Sequence, residues 1–140
     1  MKVLGFNFNK MSAERFPQKS SEGALKLGTD IVILEINPVN SDLFNTKDEF
    51  LGVKFSYTIN YNPDYAKIEF LGEIVISLDS KEAKEVLKEW KNKKLLEDFK
   101  IFVFNIILKK SNLKALELED EMNLPLHLPL PSVKKEGSQN

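Results

Sequence analysis

Apolar and polar residues alternate along residues 51–61 and again from 68 to 76. A period of two places successive side chains on opposite faces of a β-strand, so both runs predict strands. The sequence Asn62-Pro63-Asp64 between them is typical of a tight turn, because proline presets φ and Asx side chains bond the local backbone. We expect an antiparallel hairpin that turns between Tyr61 and Ala66. Its apolar face would hold Phe55, Tyr57, Ile59, Ile68, Phe70 and Ile74.

Two further strands are predicted before this hairpin. Residues 3–16 begin with an alternation of apolar residues and asparagines, and residues 25–36 contain the unbroken apolar run Ile31–Leu34. Such a run is typical of a strand that is buried on both faces for at least part of its length. Asn37-Pro38 predicts the end of this strand, since proline has no N–H for a ladder. Residues 40–48 are predicted to form a polar loop.

The hydrophobic period changes after Ser80, which fits a helix N-cap. A stripe with helical spacing follows and predicts a short amphipathic helix; its members are Ala83, Val86, Leu87 and Trp90. A second helix is predicted from about Leu95 to Leu116. Its middle, Ile101–Leu108, is apolar nearly all round. A helix with no polar side is buried on two sides or against a second subunit.

Residues 124–131 carry prolines at positions 125, 129 and 131, which exclude a helix and predict an extended segment near polyproline II. The residues that follow are polar and charged. We therefore predict a single α+β domain over residues 1–133, a four-stranded antiparallel sheet with two C-terminal helices on one side. A disordered tail is expected at 134–140.

Composition excludes several kinds of chemistry. The 140 residues include no cysteine and one histidine, His127, so disulfides, thiolate metal sites and cysteine nucleophiles are ruled out. Twenty basic residues balance 21 acidic ones, and Arg15 is the single arginine, which disfavours nucleic-acid binding. The glycines are isolated and form no phosphate loop. We expect a protein that is not an enzyme and holds no cofactor or metal.

Individual candidates for chemistry have simpler interpretations. Glu69 and Glu73 lie on the polar face of a predicted strand, and Glu119–Glu121 form an acidic run. Nothing places these carboxylates in an apolar pocket, which is what raises a catalytic pKa, so we expect them to be solvated. His127 lies among leucines and prolines and is expected to be structural or exposed. The lysines around Trp90 are flanked by acidic residues and do not form a convincing nucleic-acid patch.

The apolar faces exceed what one subunit can cover. Aromatic residues make up 10% of the chain, and two helices of the predicted length cannot cover both faces of a four-stranded sheet. An uncovered apolar patch larger than a few hundred Å² is typical of an interface or a binding groove. We therefore expect a homo-oligomer, either a dimer or a tetramer.

The order of four antiparallel strands, a helix pair and a proline-containing extension resembles the SecB family of export and toxin–antitoxin chaperones. Four segments carry the resemblance. Residues 6–14 are similar to the opening strand of the family, and residues 50–78 correspond to its third and fourth strands. Residues 102–110 lie in the long helical region, and Leu-Pro-Leu-His-Leu-Pro at 124–129 resembles the stretch after the helices.

This resemblance implies an ATP-independent chaperone that binds unfolded or nascent polypeptides in long aromatic-lined grooves. It also implies a tetramer built as a dimer of dimers. The groove candidates in this sequence are Phe6, Phe8, Phe55, Tyr57 and Phe70. The candidates for the oligomer interface are Ile101, Phe104, Ile107 and Leu108.

Two alternatives stay open. The first is an oligomeric scaffold without chaperone activity, whose apolar faces are buried between subunits or against one partner. The second is a small apolar-ligand-binding protein, with Tyr57, Tyr61 and Asn105 as polar anchors. The lack of cysteine, of an export signal and of an apolar stretch of membrane length predicts a cytoplasmic protein that does not insert into membranes.

Overall fold

A four-stranded antiparallel sheet carries two helices in the computed structural model, which describes residues 1–17, 24–40 and 47–136. The elements are β1 (Lys2–Arg15), β2 (Lys26–Val39), β3 (Glu49–Asn62), β4 (Ala66–Leu78), α1 (Ser80–Lys91) and α2 (Glu97–Glu121). The strand order is β1-β4-β3-β2, so the first strand lies beside the last. The predicted α+β architecture is confirmed. Most of the predicted 40–48 loop and the end of the predicted tail lie outside the described residues.

The predicted hairpin is the centre of the sheet. Tyr61 pairs with Ala66 across the turn, and Tyr57 pairs with Phe70, as the alternation indicated. The helix-side face of this hairpin forms the core together with the buried residues of α1 and α2. Its fully buried members are Leu51, Val53, Phe55, Tyr57, Ile59, Tyr61, Ile68, Phe70, Ile74 and Ile76. The opposite face of β3 and β4 is mostly polar, and Glu69 lies there 3.7 Å from the Lys10 and Lys67 ammonium groups.

The second strand differs from its prediction. Ile36 is the one fully buried residue of β2, and Val32 and Leu34 are 50% and 49% exposed. Burial on both faces is therefore wrong for the single subunit, because β2 lies at an edge of the sheet and the helices cover its other face. The strand also continues through Asn37-Pro38 to Val39. An edge strand tolerates proline since only one side of its backbone must pair.

The first helix is capped one residue earlier than predicted. The Asp79 carboxylate accepts a hydrogen bond from the Glu82 N–H at 2.7 Å, so Asp79 and not Ser80 is the N-cap. At the other end Lys93 adopts a left-handed conformation with φ of 57°, and the Lys94 N–H donates to the Glu89 carbonyl at 3.0 Å. These contacts form a Schellman motif, which satisfies the last carbonyls of the helix.

The second helix begins at Glu97 rather than Leu95 and ends at Glu121 rather than Leu116. Its buried side chains recur at every fourth position: Phe99, Val103, Ile107, Ser111, Ala115 and Glu119. Asn123 ends the helix with φ of 54°, and the Leu124 N–H donates to the Glu119 carbonyl at 2.8 Å. This second Schellman motif turns the chain back, and Leu124 is buried beneath it.

The lack of a side chain at Gly72 makes room for the ring of Phe55. A Cβ atom at Gly72 would lie 2.5 Å from Phe55 Cζ and 2.7 Å from the Asn7 carbonyl oxygen. We expect Gly72→Ala to lower the free energy of unfolding by about 1–3 kcal/mol, because a backbone oxygen cannot move away as a side chain can. Urea unfolding measures the loss. Gly28→Ala is the matched control, since a Cβ there meets nothing within 4 Å, and equal losses in both variants would contradict this account.

Ser111 has a buried hydroxyl that finds no hydrogen-bond partner among the described residues. We expect Ser111→Ala to raise the free energy of unfolding by about 1 kcal/mol, because an unsatisfied buried polar group is removed with the loss of only one heavy atom. The neighbouring Asn112→Ala serves as the contrast, since it removes the acceptor of the Tyr57 hydroxyl and should destabilise. Thermal and urea unfolding measure both changes, and destabilisation by Ser111→Ala would show that the hydroxyl is satisfied in solution.

Candidate functional site: an aromatic row and a buried polar cluster

Five aromatic side chains from β1, β3 and β4 form one connected group on the helix side of the sheet. The ring centroids of Phe6 and Phe8 are 5.0 Å apart, and those of Phe6 and Phe55 are 5.5 Å apart. Phe8 contacts Phe70 at 5.1 Å, and Phe70 stacks on Tyr57 at 5.6 Å with an interplanar angle of 10°. We call these five residues the aromatic row. They are the five residues predicted as groove candidates.

The aromatic row is open at one end and closed at the other. Phe55, Tyr57 and Phe70 are fully buried, whereas Phe6 and Phe8 are partly exposed. The difference follows from position, because Phe6 and Phe8 belong to the edge strand β1 and the other three belong to the central hairpin. Within a single subunit, therefore, solvent reaches the aromatic row only at its β1 residues.

The apolar surface continues along β1 beyond the two phenylalanines. Val3 and Met11 pair with Ile76 and Phe70, so they face the same side of the sheet as the aromatic row. Both are exposed, Met11 by 50%. Among the described strands β1 pairs with β4 alone, which leaves its other edge open. An open edge next to exposed apolar side chains can accept an extended polypeptide through main-chain hydrogen bonds.

A polar cluster lies at the closed end of the row, between β3 and α2. We call it the buried polar cluster, and its members are Tyr57, Tyr61, Asn112, Glu119 and His127. The His127 Nδ1 lies 2.8 Å from Glu119 Oε1, and the His127 backbone N–H donates to both carboxylate oxygens at 3.3 and 3.2 Å. The Tyr61 hydroxyl donates to Glu119 Oε2. The hydrogen-bonding capacity of the Glu119 carboxylate is thus satisfied by groups within the protein.

The two sides of the cluster are joined through Asn112. The Tyr57 hydroxyl donates to Asn112 Oδ1 at 2.6 Å. The His127 Nε2 lies 3.1 Å from the same oxygen and 3.2 Å from the Tyr57 hydroxyl. The side chains of His127 and Glu119 are 3% and 0% exposed. Buried polar groups of this kind stabilise a fold only when each is paired, and here each member has a partner.

Both tyrosines titrate at higher pH than a free phenol. Burial raises the pKa of Tyr57, and the nearby Glu119 charge raises it further. Burial is also the largest cause of the raised pKa of Tyr61, followed by its hydrogen bond to Glu119 and the charge of that carboxylate. Both hydroxyls therefore stay protonated and act as donors throughout the neutral range.

The cluster holds the chain together and is not arranged for acid–base catalysis. Both ring nitrogens of His127 are used by internal partners, and the ring is almost fully buried. General acid–base catalysis requires the group to reach a substrate proton. What the cluster does is fasten residues 124–131, which we call the strap, to β3 and α2. The Tyr61 hydroxyl oxygen also lies 2.9 Å from the Pro125 carbonyl oxygen, so its proton is shared between that carbonyl and Glu119.

Glu119 is the residue that the sequence interpretation placed wrongly. It was expected to be solvated with its acidic neighbours, but Asp120 and Glu121 are exposed and Glu119 is fully buried. A signal was present in the sequence, since Glu119 continues the four-residue spacing of the buried stripe of α2. His127 is structural, as expected. Arg15 entered the sequence interpretation only as the single arginine, yet it donates to the Met122 and Asn123 carbonyls at 2.9 and 3.0 Å and stabilises the end of α2.

The other predicted site residues are spread along α2. Ile107 is fully buried in its own subunit, Ile101 is 52% exposed, and Phe104 and Leu108 are partly buried. Of the proposed ligand anchors, Tyr57 and Tyr61 have internal partners. The third anchor, Asn105, lies on an exposed part of α2. The structure does not bring these three polar groups to one cavity among the described residues.

No helix in the described part of the chain combines the length and apolar character needed to span a membrane. No family model matches the chain, and no curated protein matches its sequence. One solved structure that it resembles is the Mycobacterium tuberculosis SecB-like chaperone in complex with a ChAD peptide from an antitoxin. The identity is 12%, the alignment covers 96% of this chain and 91% of that one, and the TM-score is 0.42.

Tyr61 provides a test of the buried polar cluster through its pH dependence. A phenol whose pKa is raised on folding contributes stability that is present below its unfolded value of about 10 and is lost as the pH rises beyond it. Tyr61→Phe should be less stable than the wild type at pH 7, because Glu119 loses a donor. The difference between the two should shrink steadily as the pH rises above about 10.

Urea unfolding at a series of pH values measures this difference. Lysines titrate equally in both proteins, so the difference between the curves isolates the Tyr61 hydroxyl. Two parallel curves would contradict the raised pKa of Tyr61.

Proposed function

We propose that this protein is a SecB-like, ATP-independent chaperone that binds non-native polypeptides along β1 and the open end of the aromatic row. The observation that carries the proposal is the placement of Phe6 and Phe8, partly exposed on an open-edged strand and backed by buried aromatic rings. The order of the elements, which resembles that of the SecB family, supports the same function.

The physical requirements of such a chaperone are few. It must offer apolar surface that an unfolded chain can cover, and it gains affinity that does not depend on sequence from main-chain pairing at a strand edge. Val3 and Met11 extend the apolar surface on either side of the two phenylalanines. Binding the unfolded state shifts the folding equilibrium of the client by mass action, so no nucleotide and no bond-making step is needed.

The buried members of the aromatic row have a supporting role in this proposal. Phe55 and Phe70 contact Phe6 and Phe8 and so fix the orientation of the rings that a client would meet. A preorganised surface loses less side-chain entropy on binding than a mobile one. Phe55, Tyr57 and Phe70 would thus form the floor of the groove, and Phe6 and Phe8 its accessible wall.

We also propose that the protein acts as a dimer or tetramer. The exposed Ile101 of α2, with the partly buried Phe104 and Leu108, would form part of the interface. Apolar side chains of this size on the surface of a monomer favour association. A cytoplasmic location, which the cysteine-free composition favours, suits a holding function.

Removing apolar side chains from the open end of the row tests the proposed groove. We expect the double variant Phe8→Ala/Met11→Ala to bind an unfolded, reduced and carboxymethylated model protein about tenfold more weakly than the wild type, the effect of losing roughly 1.4 kcal/mol of apolar contact. Suppression of aggregation of a heat-denatured enzyme should fall in parallel. Fluorescence anisotropy and light scattering measure the two effects.

The control is Val32→Ala/Leu34→Ala, which removes two apolar side chains that are 50% and 49% exposed on the outer face of β2. This control should keep the binding of the wild type. If both double variants lose binding equally, the groove does not lie at β1. If the wild type neither binds the model protein nor suppresses aggregation, the chaperone function itself is wrong.

A further inference from the structure

Two main-chain groups of the strap are bound by Tyr61 and Glu119, in addition to the buried Leu124 and His127 side chains. The Tyr61 hydroxyl shares its proton between Glu119 Oε2 and the Pro125 carbonyl, which lies 2.9 Å away, and the Glu119 carboxylate accepts from the His127 backbone N–H at 3.2 and 3.3 Å. A carbonyl and an N–H two residues apart occur in every extended polypeptide. The pair of Tyr61 and Glu119 can therefore hold an extended chain of almost any sequence.

Apart from Leu124 and His127, the strap residues are exposed to solvent. Leu126, Leu128 and Leu130 are exposed, and none of the described strands pairs with this segment. An open cleft of about 420 Å³ lies beside its first residues, bounded by Tyr65, Glu119 and Leu126 among others. The strap is thus an extended segment of leucines and prolines that forms no β-sheet pairing with the described strands. The cleft beside it has room for a segment of another polypeptide.

His127 is the one strap residue whose side chain belongs to the buried polar cluster. Its Nδ1 contacts Glu119, and its Nε2 contacts Asn112 and Tyr57. Another extended chain with no histidine at the position of His127 would keep the two main-chain contacts with Tyr61 and Glu119. It would lose the contacts that the imidazole makes with Glu119, Asn112 and Tyr57. The imidazole therefore favours the strap over any other occupant, and its removal should weaken the strap selectively.

We propose that Tyr61 and Glu119 form a main-chain clamp that the strap occupies within its own subunit and that accepts an extended apolar segment of another polypeptide when the strap leaves. The clamp adjoins the aromatic row, because Tyr57 belongs to both the row and the buried polar cluster. With the strap displaced, the cleft bounded by Tyr65 and Leu126 would open toward Tyr61. This inference rests on the proposed function, and it assigns to the strap the role of an internal competitor.

The test uses the full-length protein and a fluorescein-labelled peptide with the sequence of residues 122–133. We expect His127→Ala to bind this peptide about tenfold more tightly than the wild type, because the competing strap no longer holds its place. Leu130→Ala is the control, since Leu130 is exposed and has no part in the clamp, and it should match the wild type. Equal affinities of His127→Ala and the wild type would overturn the proposal.

A second pair of variants tests the clamp itself. Adding Tyr61→Phe to His127→Ala should return the peptide affinity toward that of the wild type, because the hydroxyl that binds a main-chain carbonyl is lost. If the double variant binds as tightly as His127→Ala, the clamp is wrong. Should His127→Ala fail to fold, His127→Gln replaces it, and circular dichroism checks each variant.

The outcomes separate this inference from the proposed function. If His127→Ala binds the strap peptide as expected and the protein does not suppress aggregation, the clamp is supported for the strap sequence. The proposed chaperone function is then contradicted. If aggregation is suppressed and peptide affinity is the same in His127→Ala and the wild type, the chaperone function stands and the clamp falls.

Discussion

A carboxylate sealed from solvent between a sheet, a helix and an extended strap sets the geometry on which the rest of the structure depends. Glu119 is fully buried, and its oxygens are satisfied by Tyr61 and by both the backbone and the ring of His127. A buried charge without partners would cost several kcal/mol, so the three elements must keep this arrangement together. The end of α2, the path of the strap and the orientation of Tyr61 are thereby fixed at once.

The polar cluster explains why the helix-side face of the sheet has two different ends. Where Tyr57 and Tyr61 meet α2 and the strap, the face is closed by hydrogen bonds. Where β1 forms the edge, the face ends in Phe6 and Phe8, which contact buried rings and also reach solvent. Gly72 lets the Phe55 ring lie close to the sheet, which brings it within reach of Phe6. The closed end and the open end therefore belong to one continuous aromatic surface.

This continuity connects the proposed function to the strap. A surface that binds unfolded chains must be apolar, yet it must not associate without limit when no client is present. An internal segment of extended leucines and prolines that occupies part of the surface meets both needs. The contacts of Tyr61 and Glu119 with main-chain atoms suit an occupant that can be exchanged, and the His127 imidazole supplies the preference for the internal one.

The sequence by itself determined the local elements. Alternation over residues 51–61 and 68–76 was sufficient for the central hairpin, its register and its apolar face, because a period of two depends only on neighbouring residues. The stripe of α1 was equally clear. Phe55, Tyr57 and Phe70 fall on the apolar face that this alternation defines, and the pairing of β1 with β4 brings Phe6 and Phe8 to the same face.

Tertiary structure alone decided what depends on position in the sheet and on distant partners. The run Ile31–Leu34 predicted a buried strand, but the strand order placed it at an edge, where one face of β2 lies exposed. The acidic run at 119–121 predicted a solvated face, but Glu119 is buried because Tyr61, 58 residues away, and His127 supply its hydrogen bonds. Periodicity records how a residue relates to its own element, whereas burial and pairing depend on which elements the fold brings against it.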